Sequence, residues 1–319
     1  MNRLLITRTL PDDNHAFAKA HFDTTLRDAD RGLTEEEAAE ALRQYDAILP
    51  TLGDRFTAGA FAAAGADLRC RILANFGVGY NHIDVAAAKA AGVKVSNTPD
   101  TVTDATADIG MTLILATCRR AGEGERLVRT GTWDGWSPTQ MLGTHVTGKT
   151  VGIVGMGRIG QAVAHRCHFG FNMPVLFYNR SPKGTHVPAL QVDSLDELMR
   201  TSDIIVVTVP ASAETRNMID AAAIAAMKPT GILINIARGD VVDEPALIAA
   251  LTDRRIAGAG LDVYAAEPFV PEALRHLENV VLLPHLGTAA LEVRTAMGQM
   301  ALNNIMAWAA GDTPPQEVC

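Results

Sequence analysis

Residues 150–167, TVGIVGMGRIGQAVAHRC, constrain the chain more than any other stretch. Gly155, Gly157 and Gly160 stand in G-x-G-x-x-G register, with a hydrophobic run before them and a helical pattern after. A strand–turn–helix of this kind needs its first glycine for a tight turn, its second for close approach to a pyrophosphate, and its third for helix–strand packing. The free N–H groups and positive dipole end of the following helix then face the phosphates. Gly155, Met156, Gly157, Arg158, Ile159 and Gly160 are therefore candidate contacts to a dinucleotide.

The rest of the chain agrees with that turn. LLIT (4–7), AILP (47–50), RILANF (71–76) and VKVSN (93–97) have strand character, and TEEEAAEALRQ (34–44) and IDVAAAKAAG (83–92) have helical character between them. A longer helix is expected from near Thr101 to about Arg120, followed by a Gly-, Thr- and Trp-rich loop over 129–149. A second alternating series then runs through TVGIVG, VLFYN, IIVVTV, ILINIA, GAGLDV and VVLLPH. Such near-continuous Val/Ile/Leu runs are expected of parallel strands buried on both faces. The pattern predicts two doubly wound α/β domains with parallel sheets. One is a Rossmann-type cofactor domain over 99–287; the other is a flavodoxin-like substrate domain over 1–98 plus 288–319. Insertion of the first into the second requires the helix LEVRTAMGQMALNNIMAWAA to return to the N-terminal sheet; a tandem arrangement is the alternative.

Composition narrows the partners. The 319 residues carry 36 acidic against 28 basic side chains, a net charge of −8, which argues against a nucleic-acid or anionic-membrane surface. No apolar run is long enough to span a bilayer or to form a secretory leader. Cys70, Cys118, Cys167 and Cys319 are scattered without metal-like spacing, so no metal and no disulfide framework are expected, and the cytoplasm is the expected compartment.

The nucleotide's identity turns on the tip of VLFYN. An NAD site favours a carboxylate there for the ribose 2′-hydroxyl. The chain has Asn179, Arg180 and Ser181 instead. Arginine offers planar paired donors to a 2′-phosphate, a hydroxyl adds another, and no acid repels it. NADP(H) is the expected cofactor, with NAD(H) possible; a solvated arginine with relaxed specificity is the competing reading.

Three polar residues follow later strands: Arg238 in INIARGD, Glu267 in LDVYAAEP and His285 in LLPHLGT. Reduction of a carbonyl by a nicotinamide needs a hydride on the carbonyl carbon and a proton on its oxygen. Histidine is a suitable proton donor near neutral pH. Glu267 would favour its charged form, and Arg238 would hold the substrate carboxylate and carbonyl. The glycine-rich FGVGY (76–80), with Val78 and Gly79, could add backbone N–H groups as an anion-binding nest. The other eight histidines lie in no comparable context.

The glycine turn, NIARGDVVDEPAL, GAGLDVYAAEP and LLPHLGTA, in this order, resemble the D-isomer-specific 2-hydroxyacid dehydrogenase family. The likeness extends over NFGVGYNHIDVAAAKAAGVKVSNTP and TVTDATADIGMTLILA, essentially the whole chain, and GTWDGWSPTQMLGTHVTGKTVGIVGMGRIG is most similar to the glyoxylate/hydroxypyruvate reductase branch. The resemblance implies that Asp262 contacts the nicotinamide amide. It also implies that Thr106, Pro210, Ala237 and Gly287 lie near the cofactor. It further implies a homodimer, and that Trp136 sits in a loop reaching a neighbouring subunit's site. Leu52, Phe76, Val78, Trp136 and Met141 are candidates to line the substrate pocket. Formate-oxidising relatives carry Gln where this chain has Glu267, and phosphite-oxidising relatives a lysine where Val78 stands. The chain has no room for the regulatory domain usual in phosphoglycerate dehydrogenases. The implied activity is reduction of glyoxylate or hydroxypyruvate. A 2-ketogluconate- or pyruvate-type reductase, or a nucleotide-sensing co-regulator of the same fold, remain alternatives.

Overall fold

In the computed structural model, which describes residues 1–319, the chain divides into two units. Met1–Val102 and Thr288–Cys319 form one, and Thr103–Gly287 the other. The chain passes from the first unit to the second at 102/103 and back at 287/288. The turn at 99–102 stays with the outer unit, and the inner unit starts with a helix at Thr103.

The outer unit runs β1 (Arg3–Ile6), α1 (Asp12–His21), β2 (Asp23–Leu26), α2 (Glu35–Gln44), β3 (Ala47–Leu49), α3 (Ala58–Ala64), β4 (Ile72–Ala74), α4 (Val85–Ala90) and β5 (Lys94–Ser96). Its five strands are all parallel, in the order β2-β1-β3-β4-β5. Helix α2 starts with a full capping box: Glu37 N–H donates to Thr34 Oγ1 at 3.2 Å and Thr34 N–H to Glu37 Oε2 at 2.8 Å.

The inner unit runs α5 (Thr103–Cys118), α6 (Ala121–Arg129), β6 (Val151–Val154), α7 (Arg158–His165), β7 (Val175–Tyr178), β8 (Ala189–Gln191), α8 (Leu195–Thr201), β9 (Ile204–Val207), α9 (Ala221–Ala226), β10 (Ile232–Asn235), α10 (Glu244–Thr252), β11 (Gly258–Leu261), α11 (Glu272–Arg275) and β12 (Val280–Leu282). Its seven strands are parallel, in the order β12-β11-β10-β9-β6-β7-β8. Alternate residues of one strand serve two cores: Ile204 and Val206 join α5 and α7 residues on one face, and Ile205 and Val207 join α8 and α10 residues on the other. The order reverses at β6, placing a switch-point crevice between β6 and β9, where such sheets bind ligands.

The last helix, α12 (Leu291–Ala310), returns to the outer unit. Its Ala301, Leu302 and Ile305 pack with Leu4, Ile6, Leu49 and Ile72, and Asn14 Nδ2 donates to Thr295 O at 3.0 Å. The inserted arrangement is therefore the correct one of the two. The tail beyond α12 also has structure: Val318 N–H donates to Val95 O at 2.7 Å and Val95 N–H to Cys319 O at 3.0 Å, so it pairs with β5. No helix is long and apolar enough to cross a membrane.

Candidate active site

The trio lies on three neighbouring strands of the inner sheet. Arg238 follows β10, Glu267 follows β11 and His285 follows β12, all beyond the carboxyl ends. β12 stops at Leu282, and the chain then bends at His285 with φ 55, a left-handed conformation that costs most side chains energy but is comparatively open to histidine. Asp262 holds that bend. Its main-chain oxygen accepts from His285 N–H at 2.9 Å, and its two carboxylate oxygens accept from Leu286 and Gly287 N–H at 2.6 and 2.9 Å. Thr106 Oγ1 donates to Gly287 O at 3.2 Å.

The imidazole Nδ1 sits 2.8 Å from Glu267 Oε2. Glu267 Oε1 accepts from Tyr264 N–H at 3.0 Å, and the Tyr264 hydroxyl donates to Leu283 O at 2.8 Å, tying the loops after β11 and β12 together. A carboxylate at Nδ1 fixes the N–H there and leaves Nε2 for a ligand. Burial disfavours the Glu267 carboxylate, but the hydrogen bond and charge of His285, the Tyr264 amide and the Arg238 charge together hold its carboxyl below the usual range. Asp262 goes the other way: burial raises it despite the two amide donors and the charge of His285.

Arg238 makes one side-chain hydrogen bond, to Ala237 O at 2.6 Å. Burial lowers its pKa, opposed by the charges of Glu267 and Asp240. A guanidinium stays protonated in proteins regardless. Its loop is shaped by the buried Asn235, whose Nδ2 donates to Arg238 O at 2.9 Å and whose Oδ1 accepts from Ala237 N–H at 3.0 Å. Asn235 and Tyr264 are positioning groups that motif reading overlooked. Asn235 stood in view as a polar residue ending a Val/Ile strand, while Tyr264 carried no separate signal.

The glycine turn follows β6 at the switch point. Gly155 has φ 96, and an added Cβ would come within 2.6 Å of Val209 Cγ1. At Gly160 a Cβ would meet Gly155 O at 2.2 Å, so α7 approaches β6 closely. At Gly157, by contrast, a Cβ would meet nothing within 4 Å, and this residue caps α7 without a side-chain partner. Open space over a helix N-terminus is what a bound pyrophosphate requires. Met156 and Ile159 direct their side chains to the core, which leaves the backbone as their contribution.

At the tip of β7, Asn179 Oδ1 accepts from Met156 N–H at 3.2 Å and its Nδ2 donates to Ser181 O at 3.2 Å, linking the tip to the glycine turn. Arg180 is exposed and pairs with the equally exposed Glu214, Nη1 to Oε2 3.1 Å. Pro210, just past β9, is exposed and accepts from Thr215 Oγ1 at 2.7 Å, and Ala237 is buried. Val78 and Gly79 follow β4 in the outer unit: Val78 O accepts from Asn97 Nδ2 and Gly79 O from Asn75 Nδ2, each at 3.0 Å. Trp136 is 80% exposed.

Residues 111–287 match the model of the D-isomer specific 2-hydroxyacid dehydrogenase, NAD binding domain. The chain belongs to the D-isomer specific 2-hydroxyacid dehydrogenase family. Within it the likeness is to the glyoxylate reductase branch. A glyoxylate reductase of Thermococcus kodakarensis is 44% identical over 98% of this chain and 95% of that protein. A glycerate dehydrogenase of Hyphomicrobium methylovorum is 38% identical over 94% of this chain and 93% of that one. Among solved structures, the NADPH-dependent glyoxylate/hydroxypyruvate reductase of Sinorhizobium meliloti, in complex with NADP and malonate, has a TM-score of 0.88 at 33% identity, covering 100% of this chain and 97% of that one.

Proposed function

We propose that the chain is an NADPH-preferring reductase of small 2-oxo acids, glyoxylate and hydroxypyruvate among them. The observation that carries this reading is the Glu267–His285 pair at 2.8 Å beside Arg238, whose guanidinium forms no ion pair, on neighbouring strand ends of the cofactor-type sheet. A reduced nicotinamide, when bound, supplies the hydride for the carbonyl carbon next to the carboxylate.

The chain's own groups do the rest. With Nδ1 bonded to Glu267, charged His285 holds its second proton at Nε2 and gives it to the ketone oxygen as the alcohol forms. Glu267, 2.8 Å from Nδ1, keeps the ring oriented. Arg238 fixes the substrate carboxylate and carbonyl by directed donors; in the outer unit, the backbone of Val78 and Gly79 is proposed as an anion-binding nest. Asp262 keeps the 285–287 turn in place, and its carboxylate is proposed to meet the nicotinamide amide. The turn residues 155–160, with Thr106, Pro210, Ala237 and Gly287, would line the nucleotide.

Asn179, Arg180 and Ser181 would hold a 2′-phosphate. The acid-free strand tip supports this, while Glu214 beside Arg180 competes with the phosphate for the guanidinium and moderates the preference. We also propose a homodimer, supported by exposed Val128, Trp133, Trp136 and Leu142. A cytoplasmic location is supported by four unpaired cysteines.

Steady-state turnover of glyoxylate and hydroxypyruvate with NADPH and with NADH tests the proposal. His285→Ala should lower kcat by about 10²–10⁴-fold, the usual weight of general acid–base catalysis, while NADPH still binds. Arg180→Ala should shift the kcat/KM ratio toward NADH. Near-normal kcat in His285→Ala would sink the proton-donor role, and an unchanged cofactor ratio the role of Arg180.

A further inference from the structure

The inner sheet has a second edge. Its strands are parallel, so the carboxyl ends that lead to Arg238, Glu267 and His285 lie together, and the amino ends lie together at the opposite edge. β10, β11 and β12 have only three or four residues each, about 10–13 Å of strand between the two edges. A cavity of about 400 Å³ opens at the amino ends, lined by Ile232 of β10, Gly258 of β11, Val280 of β12 and the last turn of α5. Its volume falls within the roughly 300–1,000 Å³ usual for small-molecule sites. Every residue of its wall belongs to the inner unit.

Two features of that wall define what fits it. Part of it is apolar: Ile232 and Val280 are buried there, with Ala116 and Ala257 beside them. The rest carries four charged residues, of which three are neutralised. Arg120 donates to both oxygens of Glu123, from Nε at 3.0 Å and from Nη2 at 2.7 Å, and Glu278 pairs with Arg126, which is not in the wall. The fourth, Arg254, is exposed and its side chain makes neither an ion pair nor a hydrogen bond. It stands at φ 54 in the turn after α10, and Asn279 braces that turn by donating from Nδ2 to Leu251 O and Ala257 O, each at 3.3 Å. The outcome is one unopposed guanidinium beside apolar wall, in a chain whose net charge is −8.

We propose that this cavity is a binding site for a small aliphatic carboxylate, separate from the candidate active site. Arg254 takes the carboxylate through directed, charge-assisted hydrogen bonds, and the wall around Ile232 and Val280 takes the hydrocarbon. Neither half suffices alone. An inorganic anion leaves the apolar wall uncovered, and a neutral molecule of the same shape leaves Arg254 to water. The site goes beyond the reductase reading and does not depend on it.

Calorimetric titration of the whole protein with 3-methylbutanoate, without nucleotide, tests the proposal. Wild type should bind the acid, and should bind 3-methylbutanamide, which keeps the shape and lacks the charge, about tenfold more weakly, since a hydrogen bond to a charged group has about that weight. Arg254→Gln should lower affinity for the acid about tenfold and leave that for the amide unchanged. Arg238→Ala should leave both unchanged, which separates this cavity from the candidate active site. No binding by wild type, equal affinity for acid and amide, or an Arg254→Gln variant that binds the acid like wild type would each overturn the proposal. Loss of the acid in Arg238→Ala would place it in the candidate active site; that too overturns the proposal and leaves the reductase reading standing.

Discussion

His285, the proposed proton donor, is held by residues that need not touch a substrate. Its backbone is left-handed, its N–H is bound by Asp262, and its ring is turned by Glu267. Because the Glu267 carboxyl is depressed in the folded protein, its contribution to stability is present above the unfolded value of about 4.3 and is lost as pH falls through the lower, folded value. The stability gap between wild type and Glu267→Gln should therefore be widest above about pH 5 and narrow below about pH 4. Urea unfolding of both proteins from pH 7 to 3.5 measures it, and a gap that stays constant across that range would contradict the assignment. Burial acts unopposed by any strong partner on the thiols of Cys70, Cys118 and Cys167, which are pushed up to about 12 and so are inert at neutral pH.

Single elements show what local sequence does and does not specify. In α2 the Thr34–Glu37 reciprocal bonds are local, so Thr34→Ala should cost about 1 kcal/mol, read as a lower denaturation midpoint with kcat unchanged. No loss of stability would mean that tertiary packing alone holds this helix. The same locality made α2, the β6–turn–α7 unit and the inner strands other than β8 legible in advance, since capping, glycine spacing and continuous Val/Ile/Leu runs are written in adjacent residues. β2 and β8 were not legible. DTTL and ALQ are edge strands with exposed or half-buried positions, so no apolar pattern marks them. Helix α5 begins at Thr103 and ends at Cys118, shorter at both ends than its apolar pattern suggests. The trio could be read from motifs, but its support could not. The Asp262 clamp, the Tyr264 tether and the Asn235 brace join residues brought together by neighbouring strands, a relation that spacing along the chain does not encode.

At the scale of the whole molecule, the site trio and the glycine turn belong to one unit, Thr103–Gly287. A ligand that binds the native state alone stabilises it by about 2.7 kcal/mol at 100 times its Kd. NADPH should accordingly raise the unfolding transition of this unit in calorimetry, and an unmoved midpoint at saturating nucleotide would count against nucleotide binding.

The return of α12 to the first sheet has a consequence for biosynthesis. Every residue of the inner unit is synthesised before residue 288, so all seven of its strands exist before the outer unit has its last helix. The outer unit must wait. Until Ala301, Leu302 and Ile305 are synthesised, α1 alone covers that face of the five-stranded sheet and apolar surface over β3 and β4 stays open, and it is in that interval that a nascent chain most needs a chaperone.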